Sequence, residues 1–268
     1  MKRKIIGIAA AFFILLGAGL LIIPRVSNYI GVQIAHTTVN DFLNLKENIV
    51  EGDKPSNEPT PDMTKEARKS ENLLDIPKNK DEVESNVVLY RVDIDRLLAD
   101  SIAYNEMLKN NQQNLLIDEL SYQSPSLNLW NYGIPNGVYG YVSASTIGME
   151  LPIYLGASEN NMAYGAAHMT YTSLPIGGRN TNAVLSGHSG FIGRIFFDYI
   201  RNLNQGDEVV IENYWDKLTY TVIDTKICKS YQSSDCYLSE GKDLLTMLTC
   251  ISDGQGGFDR YYVICERE

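Results

Sequence analysis

Histidine is scarce in this chain of 268 residues: there are three, His36, His168 and His188. Any mechanism that needs an imidazole therefore has few candidates. Cysteine is nearly as rare, with four residues, Cys228, Cys236, Cys250 and Cys265. None belongs to a C-x-x-C pair and none has a histidine at ligand spacing, which argues against a zinc site, and no metal or other cofactor is expected. Clusters of Lys and Arg are missing beyond the first few residues, and the formal net charge is −10. A protein that tracks phosphates needs a basic face, so nucleic acid is not an expected partner. No internal repeat of solenoid or propeller period is visible. What is present, 44% hydrophobic residues, suffices for one sizeable core with accessory segments.

The N-terminus carries the clearest compositional signal. Lys2, Arg3 and Lys4 precede residues 5–23, "IIGIAAAFFILLGAGLLII", a run of 19 uncharged residues. At about 1.5 Å per residue the run spans about 28 Å, close to the hydrocarbon thickness of a bilayer. A buried core helix of this length would show a polar face. A cleaved signal peptide shares the charged start, but this run is long for one and no clear A-x-A site follows. The reading is an uncleaved signal-anchor. Three basic residues before the span against Arg25 after it place the N-terminus inside and the remainder outside the membrane. The expected division is a cytoplasmic tail (1–4), a span (5–23), a juxtamembrane helix with a flexible linker (24–85) and an extracellular domain (86–268).

Residues 27–50 repeat apolar side chains at helical steps through Ile30, Ile34, Thr38, Phe42, Leu45 and Ile49. Residues 51–85 hold four of the nine prolines and many charges, a composition that cannot offset its own ordering entropy. A second helix is expected over 89–110, with Asp93 as its N-cap. From Gly137 onward the texture is that of short strands, at 138–145, 149–155, 182–187, 207–213, 217–228, 244–250 and 260–266, interrupted by one helix at 194–204. The fold class is mainly β, a barrel or sandwich with short helices.

The residues able to do chemistry sit at the ends of these strands. Cys250 closes the run "LLTMLT", and a buried cysteine is most often inert packing. Arg260 opens the next strand after the turn-forming "SDGQGG". If the two strands pair as a hairpin, thiol and guanidinium share one rim. There the cation favours a thiolate and stabilises the oxyanion formed when a carbonyl is attacked. The competing reading is a surface arginine paired with Asp259. His188, in "AVLSGHSG", also closes an apolar strand, where an imidazole can take a thiol proton and return it to a leaving amine. Unshifted, a thiol titrates near ~8.5 and an imidazole near ~6.5, so the thiolate–imidazolium pair is a minority species at neutral pH. Cys228 and Cys236 flank a short polar loop and are either unpaired thiols or a disulfide contributing roughly 2–3 kcal/mol at most. His168 is read as structural, and His36 as a solvated residue of the juxtamembrane helix.

The motifs "MLTC", "SGHSG" and "DRYYV" resemble the signature of the sortases. Three blocks resemble the pilus-building class C sortases in particular: residues 165–190, "GAAHMTYTSLPIGGRNTNAVLSGHSG", residues 137–158, "GVYGYVSASTIGMELPIYLGAS", and residues 103–111, "AYNEMLKNN". The resemblance covers residues from about 90 to 268. It implies an eight-stranded sortase-type barrel and a surface transpeptidase. Such an enzyme cuts an LPxTG-like sorting signal between Thr and Gly, holds the Thr as a thioester and passes it to an amine. Carried over by position, Cys250 is the nucleophile, His188 the general acid/base and Arg260 the oxyanion and substrate stabiliser, with Thr249 lining the site. The implied partners are surface proteins bearing such signals and an amine acceptor, a pilin lysine or a cell-wall precursor, with the membrane reached through the N-terminal helix.

Two departures from class C stand out. The Asp-Pro-aromatic lid motif common there is missing between residues 109 and 137, where "SYQSPSLNLWNYGIPNG" stands, so an uncovered thiol is expected. The C-terminal membrane span frequent in that class is also not expected, since the sequence closes on "VICERE". Other readings are a housekeeping or class B-like anchoring sortase, a different cysteine hydrolase, for which no C-G-x-C-W run surrounds Cys250, and a non-enzymatic surface assembly protein.

Overall fold

The computed structural model describes residues 2–52, 92–115, 121–190, 193, 196–229, 232 and 234–268. The linker expected over 51–85 lies, from residue 53 on, outside the described residues.

Helix α1 (Lys2–Gly52) joins the apolar run and the juxtamembrane segment in one continuous helix, with Pro24 inside it. It is long and apolar enough to cross a membrane. Of the apolar positions that mark the helix, only part faces the barrel. Ala35, Val39 and Phe42 are buried, whereas Ile30 and Ile34 are exposed. The seam widens from Ala35 through Val39 to Phe42, whose ring packs edge-on against Tyr141 and Tyr214. Lys46 Nζ clamps the far end, donating to Glu212 Oε1 at 3.0 Å and to the Asn213 carbonyl at 2.8 Å. Helix α2 (Ile94–Leu115) is capped as expected, Asp93 Oδ1 accepting the Arg96 N–H at 3.0 Å.

Eight strands follow: β1 (Val138–Ala144), β2 (Met149–Leu155), β3 (Ala166–His168), β4 (Thr181–Ser186), β5 (Glu208–Asn213), β6 (Lys217–Lys229), β7 (Asp243–Ser252) and β8 (Phe258–Glu266). A four-residue helix, α3 (Glu159–Met162), links β2 to β3. The strands close a barrel in the order β1-β2-β3-β4-β7-β8-β6-β5. The β2–β3 and β4–β7 pairs are parallel and the other neighbours antiparallel. Strand β6 shows plain alternation, Leu218, Tyr220 and Val222 pointing inward between exposed neighbours. Strand β7 is buried without a break from Asp243 to Thr249, its outer-face Leu248 packing with Val184, Cys236 and Tyr262 in a separate cluster.

Two expectations are corrected. Strand β3 was not among the expected strands; at three residues, pairing in parallel with β2, it carries no alternation to read. The helix expected at 194–204 is, in its described part, a series of turns ending in one 3₁₀ turn, Ile200–Asn202. Phe196, Phe197, Ile200 and Leu203 all enter the barrel core, and packing into the open end of the barrel overrides helical propensity.

Candidate active site

The site begins with a hairpin. Strands β7 and β8 pair antiparallel with Cys250 opposite Arg260 and Ser252 opposite Phe258. The connecting loop is built on Asp253. Its Oδ1 accepts the backbone N–H groups of Gln255 (2.8 Å) and Gly257 (2.9 Å), and its own N–H reaches the Gly257 carbonyl. Gly254 and Gly256 supply the positive φ values the chain needs to reverse here, +73° and +90°. The strands thus extend two residues beyond the expected ends, and thiol and guanidinium lie inside the ladder.

Directly opposed residues share a face of the sheet, so Cys250 and Arg260 project together. Arg260 Nη1 donates to Cys250 Sγ at 2.7 Å. The alternative partner is otherwise engaged: Asp259 accepts from Lys229 Nζ at 3.0 Å. Cys250 is half-buried. Two of the other thiols are chemically suppressed. Burial pushes both the Cys236 and the Cys265 thiol up to about 12. Cys228 and Cys236 are both free thiols, Cys228 Sγ lying 4.0 Å from Asp235 Oδ2 and Cys236 Sγ 4.0 Å from the Tyr262 hydroxyl.

The histidine arrives through the parallel β4–β7 pair, whose strands run to the same rim, with Ser186 in register with Leu248. Beyond β4 the backbone stays tied to β7. The Gly187 N–H donates to the Leu248 carbonyl (3.2 Å), the buried Thr249 hydroxyl donates to the Gly187 carbonyl (2.8 Å), and the Ser189 hydroxyl donates to the Cys250 carbonyl. His188, half-buried, stands between these two ties. Gly187 is required by contact: a Cβ there would lie 2.6 Å from the Phe197 ring. Phe197 in turn donates its N–H to the His188 carbonyl at 3.1 Å. Thr249 therefore lies beneath the site with its hydroxyl committed to the strand end that carries His188. Ser189, Phe197 and Asp198, whose Oδ1 accepts the Gly190 N–H at 2.7 Å, were not singled out in the sequence. The two glycines of "GHSG" were the one signal that pointed to them.

His168 is fully buried, its Nε2 facing the Ser173 carbonyl (2.9 Å) and Thr172 Oγ1 (3.2 Å), and its Nδ1 facing Ser126 Oγ (3.2 Å). Burial lowers its pKa to about 4. The unfolded chain, titrating near ~6.5, then binds the extra proton more readily than the folded one. The stability this group contributes is complete above ~6.5 and is lost as pH falls toward 4, by about 3 kcal/mol. Denaturant titrations at pH 7, 5.5 and 4.5 should show the decline, and His168→Gln should flatten it. An unchanged slope in the variant would refute the assignment. His36, expected to be solvated, is exposed in good part and also has a partner: its Nδ1 lies 2.9 Å from Glu150 Oε1 on β2.

Segment 121–137 carries two 3₁₀ turns, Ser121–Gln123 and Leu129–Tyr132, and its Tyr122 carbonyl accepts from Ala157 and Thr170, alongside β2 and β3. The expectation of an uncovered thiol also involves residues 116–120, which lie outside the described residues.

A partly exposed thiol under a guanidinium on the rim of a closed eight-stranded barrel, with a histidine closing the adjoining parallel strand, is the arrangement of a cysteine-nucleophile enzyme. Comparison with known proteins narrows the class. A sortase domain model matches residues 142–268. Sortase A of Bacillus anthracis is 28% identical over 116 residues, covering 43% of this chain and 53% of that protein. Sortase A of Listeria monocytogenes is 26% identical over 151 residues, covering 54% and 66%. The chain thus spans between about half and two thirds of the length of these curated relatives. Among solved structures, sortase C1 of GBS Pilus Island 1 is 30% identical with a TM-score of 0.57, over 68% of this chain and 85% of that one. The chain belongs to the sortase family, whose members are cysteine transpeptidases.

Proposed function

We propose that this sortase is a membrane-anchored surface transpeptidase that works on an LPxTG-like sorting signal and hands its product to an amine, a pilin lysine in a growing pilus. The observation that carries the reading is the 2.7 Å contact from Arg260 Nη1 to Cys250 Sγ. A fixed cation in contact with the sulfur stands where negative charge develops in the transition state.

In this reading the Cys250 thiolate attacks the Thr carbonyl carbon, forming a C–S bond and an oxyanion stabilised by Arg260. The Thr–Gly C–N bond breaks as the His188 imidazolium donates its proton to the leaving glycine amine. The acceptor amine then attacks the thioester, His188 takes the amine proton, and Cys250 departs as thiolate. Thr249 supports the cycle by holding the Gly187 carbonyl, and with it the strand end leading to His188. The domain division follows the same reading: a tail at 1–4, an anchor at 5–23, a helix and linker at 24–85 and an extracellular catalytic domain at 86–268.

The structural relative belongs to a pilus island, whereas the curated relatives are sortases A, so the acceptor is the point to decide. The full chain in detergent micelles should be incubated with an LPxTG-like peptide and examined by intact mass. The expected result is a covalent acyl adduct that maps to Cys250 and is cleared by a pilin-derived lysine amine faster than by a cell-wall-type peptide amine. The reverse order would favour the anchoring role. No adduct on any such peptide, with hydroxylamine also giving no product, would sink the transpeptidase reading.

A further inference from the structure

Helix α1 reaches the barrel at one point that the catalytic scheme does not use. Asn28, Gly31, Ala35, Val39, Phe42 and Lys46 recur at three- and four-residue steps and lie along one side of the helix. The lower half of this stripe packs on core and strands, with Ala35, Val39 and Phe42 buried. The upper end touches a loop instead. Asn28 Oδ1 accepts the Gly193 N–H at 2.5 Å. Gly31 meets the same residue backbone to backbone, so that a Cβ on Gly31 would sit 2.5 Å from the Gly193 carbonyl oxygen. Gly193 has φ +78°, and a Cβ added to it would sit 2.6 Å from Ser27 Oγ. Three helix residues thus close on one glycine, and two of the close approaches depend on the absence of a side chain.

Gly193 belongs to the stretch between His188 and the barrel plug. On one side of it the Gly190 N–H is held by Asp198 Oδ1 (2.7 Å). On the other, Phe196 and Phe197 are buried in the same core cluster as Ala35 of the helix. Phe197 lies flat against Gly187 and donates its N–H to the His188 carbonyl (3.1 Å). The residues on both sides of His188 in the chain are therefore tied to β7, while Gly193, five residues on, is tied to α1.

We propose that Asn28 is a positioning residue for His188: the anchoring helix, through Asn28 and the Gly31–Gly193 contact, holds the loop that orients the general acid/base. The inference rests on the transpeptidase reading above. It also connects anchor and chemistry physically. Asn28 lies five residues beyond Ile23, the last residue of the apolar run, about 7.5 Å along the helix axis, so the clamp stands where the helix leaves the membrane. Misplacing a proton-transfer group by about 1 Å is enough to slow a reaction by one to two orders of magnitude.

The test uses the full chain in detergent micelles and an LPxTG-like peptide. Asn28→Leu removes the acceptor oxygen at similar size, and Asn28→Asp keeps it. Asn28→Leu should slow His188-dependent acylation of Cys250 by about tenfold, with Asn28→Asp within about twofold of wild type. In a His188→Ala background the same substitution should cost nothing further, because the group it positions is gone. A loss under twofold, or an equal fractional loss in both backgrounds, would overturn the proposal. A wild type that forms no adduct would count against the transpeptidase reading alone. The positioning claim is then read from the His188 ring resonances, which are assignable because the chain has three histidines. They should shift or broaden in Asn28→Leu and return in Asn28→Asp, and unchanged resonances in Asn28→Leu would refute it.

Discussion

Cys250→Ala is expected to abolish the covalent adduct with an LPxTG-like peptide, and Arg260→Gln to slow its formation by about 10²–10³-fold. Both follow from one geometry. In the proposed scheme the Cys250 sulfur bonds to the substrate carbon, and burial has pushed Cys236 and Cys265 up to about 12, so those two thiols offer no substitute. Arg260 is in register with Cys250 and reaches its sulfur at 2.7 Å. Glutamine at this position keeps donor capacity and loses the charge, which separates the electrostatic role from simple hydrogen bonding. Arg260→Lys should recover only part of the rate, since an ammonium cannot serve thiolate and oxyanion through one planar fork. Rapid-quench mass spectrometry of the first turnover measures each rate. An Arg260→Gln variant that acylates within threefold of wild type would remove the arginine from the chemistry.

The second large effect concerns the root of the same strand. Asp243 opens β7, is 7% exposed and is surrounded by donors. Its carboxylate accepts from Arg267 Nε at 2.9 Å, from the Gly178 N–H at 2.8 Å and from the Tyr220 hydroxyl at 3.0 Å, with Thr181 Oγ1 at 3.2 Å. The arrangement pins the start of β7 to β4, β6 and the C-terminal segment together. Asp243→Ala leaves a partly buried guanidinium, a phenol and a backbone N–H without their acceptor. The expected loss is about 3–5 kcal/mol, and Asp243→Asn, which keeps one acceptor oxygen, should lose less. Urea unfolding in mild detergent, followed by tryptophan fluorescence, reads the difference. A loss below 1 kcal/mol in Asp243→Ala would show that the cluster adds little to stability.

The two halves of the site were not equally legible. The Cys250–Arg260 pairing could be anticipated because it is local: ten residues separate them, and Asp253 with Gly254 and Gly256 encodes the reversal between. The position of His188 beside that hairpin depended on resemblance, since nothing in residues 181–190 announces a parallel pairing with a strand about sixty residues later. Thr249 was legible as a neighbour of the nucleophile, but its hydroxyl bond to the Gly187 carbonyl was not. The short strand β3 and the turns at 196–202 escaped for the same reason as the barrel-facing side of α1: their conformations answer to packing partners far away in the chain.

By itself, then, the sequence determined the local features: the apolar N-terminal run, the strand-rich C-terminal half with its turns, and a thiol and a cation on either side of one hairpin turn. These depend on side-chain periodicity and turn chemistry, which act over a few residues. The tertiary structure decided which face of α1 meets the barrel, that Arg260 reaches Cys250 while Asp259 pairs with Lys229, and that the loop beyond His188 rests on Asn28 and Gly31. The helix contacts join residues far apart in the chain, and the choice between Cys250 and Asp259 as partner of Arg260 depends on Lys229 arriving on the neighbouring strand β6, neither of which a local pattern encodes.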